Sequence, residues 1–86
     1  SDLGSFDSLY ESLPKDTDGN TTAANVYHIG SKNNLVIGGK RVISTIDVSN
    51  LMIVDTTDAL LIAQKGSTQK VKDLLSVVKK NHAEMA

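Results

Sequence analysis

The stretch NVYHIGSKNNLVIGGKRVISTIDVSNLMIVDTTDALLIA, residues 25–63, decides the fold. Short runs rich in valine, isoleucine and leucine alternate in it with turn residues such as glycine, asparagine and aspartate. Successive runs recur about every eight to ten residues, a spacing typical of all-β units. The runs LMIV and ALLIA are continuously apolar, as expected of strands covered on both faces. The sequence therefore predicts a mainly β unit of short strands.

The arrangement of these strands has two solutions at this point. No helix-length segment separates the runs, so parallel neighbours would have to be joined by short corners, as in the coils of a β-helix. A small antiparallel sandwich or meander fits the same periodicity almost as well. Spacing alone leaves both arrangements open.

A short helix is predicted ahead of the strands. Its apolar residues recur at the interval of one helical face and are Phe6, Leu9, Tyr10 and Leu13. Ser5 is placed to cap this helix, and Pro14 ends it because the residue before a proline is pushed out of the helical region. The segment PKDTDGNTT that follows is rich in turn residues and predicts a loop.

A second helix is predicted after the strands. Ser67 or Thr68 is placed to cap it, and its apolar stripe should pack on an open end or side of the β unit. That stripe is formed by Val71, Leu74, Leu75 and Val78. The chain is accordingly divided into an N-terminal helix and loop (1–22), β-helix-like coils (23–66) and a C-terminal helix and tail (67–86).

Composition excludes several classes of protein. The chain has 86 residues, a formal charge of −1 and no cysteine. A nearly neutral charge gives no indication of binding to nucleic acid or to an anionic membrane. The lack of cysteine rules out disulfides and thiolate metal sites, and no apolar run reaches the ~20 residues of a membrane span. We therefore expect a soluble, cytoplasmic protein with neither nucleic acid nor membrane as a partner.

Two loops are candidates for ligand chemistry. The segment DTDGNT resembles a calcium loop, but the EF-hand pattern needs glycine at the sixth position and glutamate at the twelfth, and neither is found. The segment IGGKR places two glycines beside two cations, but it joins two strands and lacks the helix N-terminus that binds phosphate. A solvated turn is the favoured interpretation of each.

The titratable side chains inside the strands give no complete catalytic set. His28 lies in a strand without a nearby serine or cysteine nucleophile, and His82 lies in the tail. Asp55 and Asp58 flank a turn between two apolar strands, where two carboxylates can bind a cation. Aspartate and threonine residues at such corners more often accept hydrogen bonds from the backbone N–H groups of the turn, so we predict a structural turn.

A family resemblance covers nearly the whole chain. SDLGSFDSLYE resembles the S-D-V-G-S-W-x-x-L-W-E segment of bacterial mannose-1-phosphate guanylyltransferases, and KDTDGN resembles their K-D-x-x-G-N loop. SKNNLVIGGKRVIS and VSNLMIVDTTDALLIA are similar to two further family segments in the same order, followed by a Q-x-V-K match. Phe6 stands where the family usually has tryptophan, and Leu3 where it often has valine.

The resemblance implies both a fold and a function. Members of the family transfer a guanylyl group from GTP to mannose 1-phosphate and release pyrophosphate. Their nucleotidyltransferase domain carries a glycine-rich loop that is absent here, so the resemblance implies the C-terminal piece of such an enzyme, beginning inside the last catalytic segment. In the family this piece folds as a short left-handed parallel β-helix followed by a helix, which favours the coil over the sandwich.

Site residues follow from the same resemblance. Asp2 matches an aspartate that helps to hold the catalytic Mg²⁺, and Gly4 and Ser5 match the turn beside the sugar-phosphate pocket. One carboxylate holds Mg²⁺ weakly, so the chain by itself is expected to be inactive. It would serve domain packing and oligomer contacts, and self-association is expected because a β-helix end leaves open strands and apolar surface. The alternatives are a free-standing β-rich interaction module without catalysis and, less favoured, a ligand-binding sandwich.

Overall fold

The computed structural model describes residues 5–83, in which one helix precedes five strands along the chain and a second helix follows them. In chain order these are α1 (Ser5–Ser12), β1 (Val26–Ile29), β2 (Leu35–Ile37), β3 (Ile43–Ile46), β4 (Leu51–Asp55), β5 (Leu60–Gln64) and α2 (Val71–Asn81). Each apolar run expected to be a strand is one, and α1 ends just before Pro14 as expected. The mainly β fold class with a helix at each end is confirmed.

The strands form two small sheets in which alternate strands pair. β1 pairs with β3 and β2 pairs with β4, both in parallel, so each residue lies beside the one 17 positions later, as Val26 beside Ile43 and Leu35 beside Met52. β5 then adds to β4 in the antiparallel direction. Short corners replace helical crossovers, which confirms the β-helix-like coil. Its left-handed sense remains a prediction.

The helices cover one face of the three-stranded sheet formed by β2, β4 and β5. Leu35 and Met52 point to this face and form a buried cluster with Val71 of α2. Partly buried residues of α1 and the sheet pack around that cluster: Phe6, Tyr10, Leu13, Ile37, Val54, Leu61 and Ala63. The opposite face carries Val36 and Ile53, which are also buried, and it points to the two-stranded sheet.

Stacked corners with a left-handed backbone connect the strands. Asn33 and Asn50 have φ angles of 60° and 61°, and Gly30 and Asp47 have φ angles of 67° and 55°. The members of each pair are one coil apart and therefore repeat the same corner. Asparagine, aspartate and glycine adopt this region at the lowest cost, so the corner residues match the backbone that the coil requires.

Two fully buried asparagines tie successive coils together. The side-chain amide of Asn20 donates to the Ser31 carbonyl at 2.8 Å, and its Oδ1 accepts from the Asn34 amide at 2.9 Å. The Oδ1 of Asn34 in turn accepts from the Leu51 backbone N–H at 2.8 Å. Buried polar groups at coil corners, where the strand ladders are interrupted, are satisfied in this way.

Three local expectations differ from the structure. β5 is covered on one face only, because Leu60 and Ile62 are exposed while Leu61 and Ala63 are partly buried. The N-cap position of α2 is Lys70 and not the predicted Ser67 or Thr68; Lys70 makes no side-chain cap bond, and a 3-10 turn over Thr68–Lys70 precedes the helix. The stripe of α2 packs mainly through Val71, its one buried residue, whereas Leu74 and Leu75 are exposed and line an open cavity against β4 and β5.

Candidate functional site

The residues expected to touch metal and substrate lie at the very start of the chain. Asp2 and Gly4 fall outside the described residues, and Ser5 is described only as the first residue of α1. Their roles in holding Mg²⁺ and the sugar phosphate therefore stay predictions. The structure does show how the helix that directly follows them is fixed.

Tyr10 anchors α1 to the coil. Its hydroxyl donates a 2.6 Å hydrogen bond to the Gly19 carbonyl. The Nζ of Lys65, the residue after β5, lies 3.2 Å from the centroid of the Tyr10 ring, and the Nζ of Lys15 lies 4.6 Å from it. Cations over an aromatic face are attracted by its negative quadrupole. The ring therefore joins α1, the following loop and the last strand.

Burial and neighbouring charges shift the pKa values of two groups in this cluster. Burial raises the pKa of the Tyr10 hydroxyl, and the carboxylates of Glu11 and Asp16 raise it further, so the phenol stays a proton donor at neutral pH. Burial lowers the pKa of the Lys65 ammonium, an effect that Asp7 and Glu11 oppose and Lys15 reinforces. The cluster thus holds α1 against the coil.

In the loop after α1, the Asp16 carboxylate accepts hydrogen bonds from the backbone of the same loop. Asp16 Oδ1 accepts from the N–H groups of Asp18 at 2.9 Å and Asn20 at 3.0 Å, and the Gly19 N–H donates to the Asp16 carbonyl at 3.0 Å. This is the turn that the sequence predicted. Between residues 5 and 83, no group of three or more His, Asp or Glu side chains could hold a metal ion.

A bidentate ion pair joins the β2–β3 corner to β4. Nε and Nη2 of Arg41 donate to Oδ2 and Oδ1 of Asp55, each at 2.6 Å, and the Asp55 side chain is only 4% exposed. The sequence suggested that Asp55 accepts hydrogen bonds from the backbone of the turn. The structure shows its carboxylate engaged by Arg41 instead. The same prediction is confirmed for threonine, because the Thr56 hydroxyl accepts from the N–H groups of Asp58 and Ala59. No sequence signal linked Arg41 to Asp55.

His28 belongs to the interior of the stack. Its Nδ1 lies 2.6 Å from Thr45 Oγ1, whose hydroxyl donates to Ser31 Oγ at 2.7 Å. Nε2 is buried and has no hydrogen-bond partner among the described residues. The arrangement contains no acid that would orient a catalytic histidine.

The Arg41–Asp55 pair predicts a pH-dependent contribution to stability. The hydrogen bond from Arg41 holds the pKa of the Asp55 carboxyl below its ordinary value, against the effect of burial. A folded-state pKa below the unfolded value of about 3.9 adds stability above that pH, which is lost as pH falls through the folded pKa. Asp55→Asn should therefore lower the melting temperature at pH 7, and its difference from the unmodified chain should shrink towards pH 2.

Thermal unfolding followed by circular dichroism between pH 2 and 7 measures this difference. Asp58→Asn is the matched control, because Asp58 is exposed in the adjacent turn. A constant difference between the Asp55→Asn variant and the unmodified chain across that range would contradict the assigned role of the ion pair.

Parallel strands stacked at a constant 17-residue interval and joined by corners with positive φ angles define a β-helix domain. A family model described as the MannoseP isomerase/GMP-like beta-helix domain matches residues 24–80. The chain belongs to this family.

Individual relatives agree with that assignment. The chain is 42% identical over 82 residues to a mannose-1-phosphate guanylyltransferase of Salmonella muenchen. The aligned region covers 95% of this chain and 17% of that protein. It is 36% identical over 78 residues to the alginate biosynthesis protein AlgA of Pseudomonas syringae pv. tomato, covering 91% and 16%. The resemblance to mannose-1-phosphate guanylyltransferases is confirmed, over a small part of those relatives' length.

A solved structure shares the fold. The crystal structure described as mannose-1-phosphate geranyltransferase from Thermus thermophilus superposes with a TM-score of 0.75 over 92% of this chain and 24% of that one, at 18% sequence identity. No helix in the described part of the chain is long and apolar enough to cross a membrane.

Proposed function

We propose that this chain is the C-terminal part of a mannose-1-phosphate guanylyltransferase, which makes GDP-mannose and pyrophosphate from GTP and mannose 1-phosphate. The observation that carries the proposal is the extent of the similarity. It reaches beyond residues 24–80 of the β-helix family model and spans 82 residues of the Salmonella muenchen enzyme. The segment joining the β-helix to the rest of the enzyme is therefore included in the match.

In this proposal the coil is a support for the catalytic segment at its N-terminal side. The Tyr10 hydroxyl bond and the two lysines over its ring attach α1 firmly to the coil. The segment with Asp2, Gly4 and Ser5 runs directly into α1 and would be positioned by it. A carboxylate oxygen is a ligand type that Mg²⁺ prefers, and Asp2 would supply one ligand. The remaining ligands and the pockets for GTP and mannose 1-phosphate would come from the rest of the enzyme.

The chain by itself is accordingly proposed to be inactive, with roles in domain packing and oligomer contacts. A cytoplasmic location is part of the same proposal. A free-standing interaction module would share the same coil but would not require Asp2, so the chemistry of Asp2 separates the two functions.

Activity assays test the proposal. The purified full-length protein with Mg²⁺, GTP and mannose 1-phosphate should form GDP-mannose, measured by chromatography, whereas the 86-residue chain should form none. In the full-length protein, Asp2→Asn should lower kcat by at least about 100-fold and raise the Mg²⁺ concentration needed for half-maximal rate, since even outer-shell changes at metal sites cost up to that much. Asp58→Asn is the control and should retain activity. Turnover by the isolated chain, or an unchanged Mg²⁺ requirement in Asp2→Asn, would contradict the proposal.

A further inference from the structure

The two-stranded sheet ends at β3 with an open edge. The Ile43 N–H donates to the Asn25 carbonyl at 2.9 Å and the Asp47 N–H to the Ile29 carbonyl at 2.8 Å. Alternate residues of a parallel strand bond to the same neighbour, so the peptide groups of Val42, Ser44 and Ile46 point away from β1. Among the described residues no strand pairs with β3 on that side.

Two apolar side chains next to the β3 edge, Leu60 and Ile62, are left uncovered. Leu60 and Ile62 of β5 lie beside Asp55 and Ile53, which are buried, and so belong to the inner face of the three-stranded sheet. They are nevertheless 51% and 59% exposed. Together with Ile43 they line an open cavity of about 400 Å³ next to the β3 edge. A strand added beside β3 would pair with the free peptide groups and cover these two side chains.

The sequence of β3 and its flanks is complementary to itself. Residues 41–47 read RVISTID, with a cation at the first position and a carboxylate at the last. When two copies run antiparallel about Ser44, Arg41 lies opposite Asp47 and Val42 lies opposite Ile46. Val42 and Ile46 are 64% and 65% exposed, so their side chains are free to form this cross-strand pair.

We propose that the β3 edge binds the β3 edge of a second copy of this chain, antiparallel and centred on Ser44. The inference deepens the oligomer contacts of the proposed function by naming their surface and register, and it rests on that part of it. Val42, Ser44 and Ile46 of each copy exchange backbone hydrogen bonds with Ile46, Ser44 and Val42 of the other. Nη1 of Arg41, which the bond to Asp55 leaves unused, faces Asp47 of the second copy.

The open edge of β1 lacks these features. The Val26 N–H is already engaged by the Ala23 carbonyl at 3.2 Å. Residues 23–30, AANVYHIG, contain no acidic residue and therefore no charge pair that would match in an antiparallel self-pairing. An isologous contact needs one patch to complement itself, and β3 meets that condition where β1 does not.

A cysteine scan tests the register directly, because the chain contains no cysteine of its own. In the proposed pairing the two copies of residue 44 lie opposite each other with Cα atoms about 5.5 Å apart, within the range that a disulfide spans. Ser44→Cys should form a covalent dimer on mild oxidation, seen on a non-reducing gel. Thr57→Cys, exposed in the β4–β5 turn, is the control and should remain largely monomeric.

Sedimentation equilibrium tests the surface itself. The unmodified chain should dimerise, and Ile46→Lys should raise the dimer dissociation constant by at least about tenfold, or about 1.4 kcal/mol. Ile29→Lys is the control, because Ile29 is equally exposed but lies on β1, on the side of β3 opposite to the proposed contact. Circular dichroism checks that each variant is folded, and Val42→Lys replaces Ile46→Lys should the latter not fold.

The outcomes separate this inference from the proposed enzyme. A monomeric unmodified chain, or a dimer that neither cross-links at residue 44 nor weakens with the lysine variant, would overturn the pairing. GDP-mannose synthesis by the full-length protein could still succeed in either case. A full-length protein without that activity would overturn the proposed enzyme while leaving a cross-linked Ser44→Cys dimer as evidence for the pairing.

Discussion

Replacing Asn34 with alanine is expected to reduce the free energy of unfolding by about 3 to 5 kcal/mol, because buried polar groups lose their partners. The Asn34 side chain accepts from the Leu51 N–H at 2.8 Å and donates to the Val48 carbonyl at 3.1 Å. It also donates to Asn20 Oδ1 at 2.9 Å. Water cannot replace these bonds easily, since Asn34 is 0% exposed.

The size of this effect is large for so small a chain. Stabilities of about 0.05–0.15 kcal/mol per residue put the whole domain at roughly 4 to 13 kcal/mol. Urea unfolding followed by circular dichroism measures the loss, and a reduced midpoint with an unchanged slope identifies a change in stability. Asn33→Gly is the matched control: Asn33 is exposed and has a φ of 60°, which glycine adopts freely, so a change within about 1 kcal/mol is expected.

A second substitution separates the loss of hydrogen bonds from the loss of volume. Asn34→Asp keeps the shape of the side chain and an oxygen for the Leu51 N–H, but it places a carboxylate against the Val48 carbonyl and Asn20 Oδ1. Its stability should rise relative to Asn34→Ala as the pH is lowered and the carboxyl becomes a donor. Similar, pH-independent losses in both variants would indicate that packing, not hydrogen bonding, is what Asn34 provides.

The strands and helices were predictable from local chemistry. β-branched runs bounded by turn residues gave β1 to β5, and Pro14 gave the end of α1. These features depend on backbone preferences within a few residues of each position. The pairing of β1 with β3 and of β2 with β4 was not predictable in the same way, because it depends on contacts one whole coil away.

The register of the coil shows why sequence was insufficient. The segments NLVI at residues 34–37 and NLMI at residues 50–53 resemble each other at an interval of 16. The structure pairs Leu35 with Met52, at an interval of 17, so that Asn33 and Asn50 share the left-handed corner. A slip of one residue turns every side chain to the other face. Asparagine suits both the corner and the buried position of Asn34, so residue type does not distinguish the two registers.

The candidate site was predictable to a smaller extent. Asp2 was assigned by family resemblance, and it lies outside the described residues. The attachment of α1 through Lys65 had no sequence signal, because a lysine after a strand is usually a solvated end. The Arg41–Asp55 pair also had no sequence signal, because its members are 14 positions apart and meet only when β4 stacks against the β2–β3 corner.

The second large effect is expected at the centre of the core. Met52 is 0% exposed on the middle strand of the three-stranded sheet, between Leu35 on β2 and Ala63 on β5. Met52→Ala removes the side chain that the helix layer rests on and should cost about 2 to 5 kcal/mol. The site has little capacity to collapse, because its neighbour Ala63 is already small and the strands on both sides are fixed by their hydrogen bonds.

The readout of this variant also tests the layered arrangement. Met52 and Leu35 form one cluster with Val71, and Tyr10 packs against that cluster, so the cavity should loosen α1 and α2 together. Urea unfolding measures the cost, and hydrogen exchange should show faster exchange in both helices. Val77→Ala, on the exposed side of α2, is the control and should change stability by less than about 1 kcal/mol. If Met52→Ala lowered the free energy of unfolding no more than Val77→Ala does, and hydrogen exchange in α1 were unchanged, α1 would be held by the Tyr10 and Lys65 contacts without help from the core.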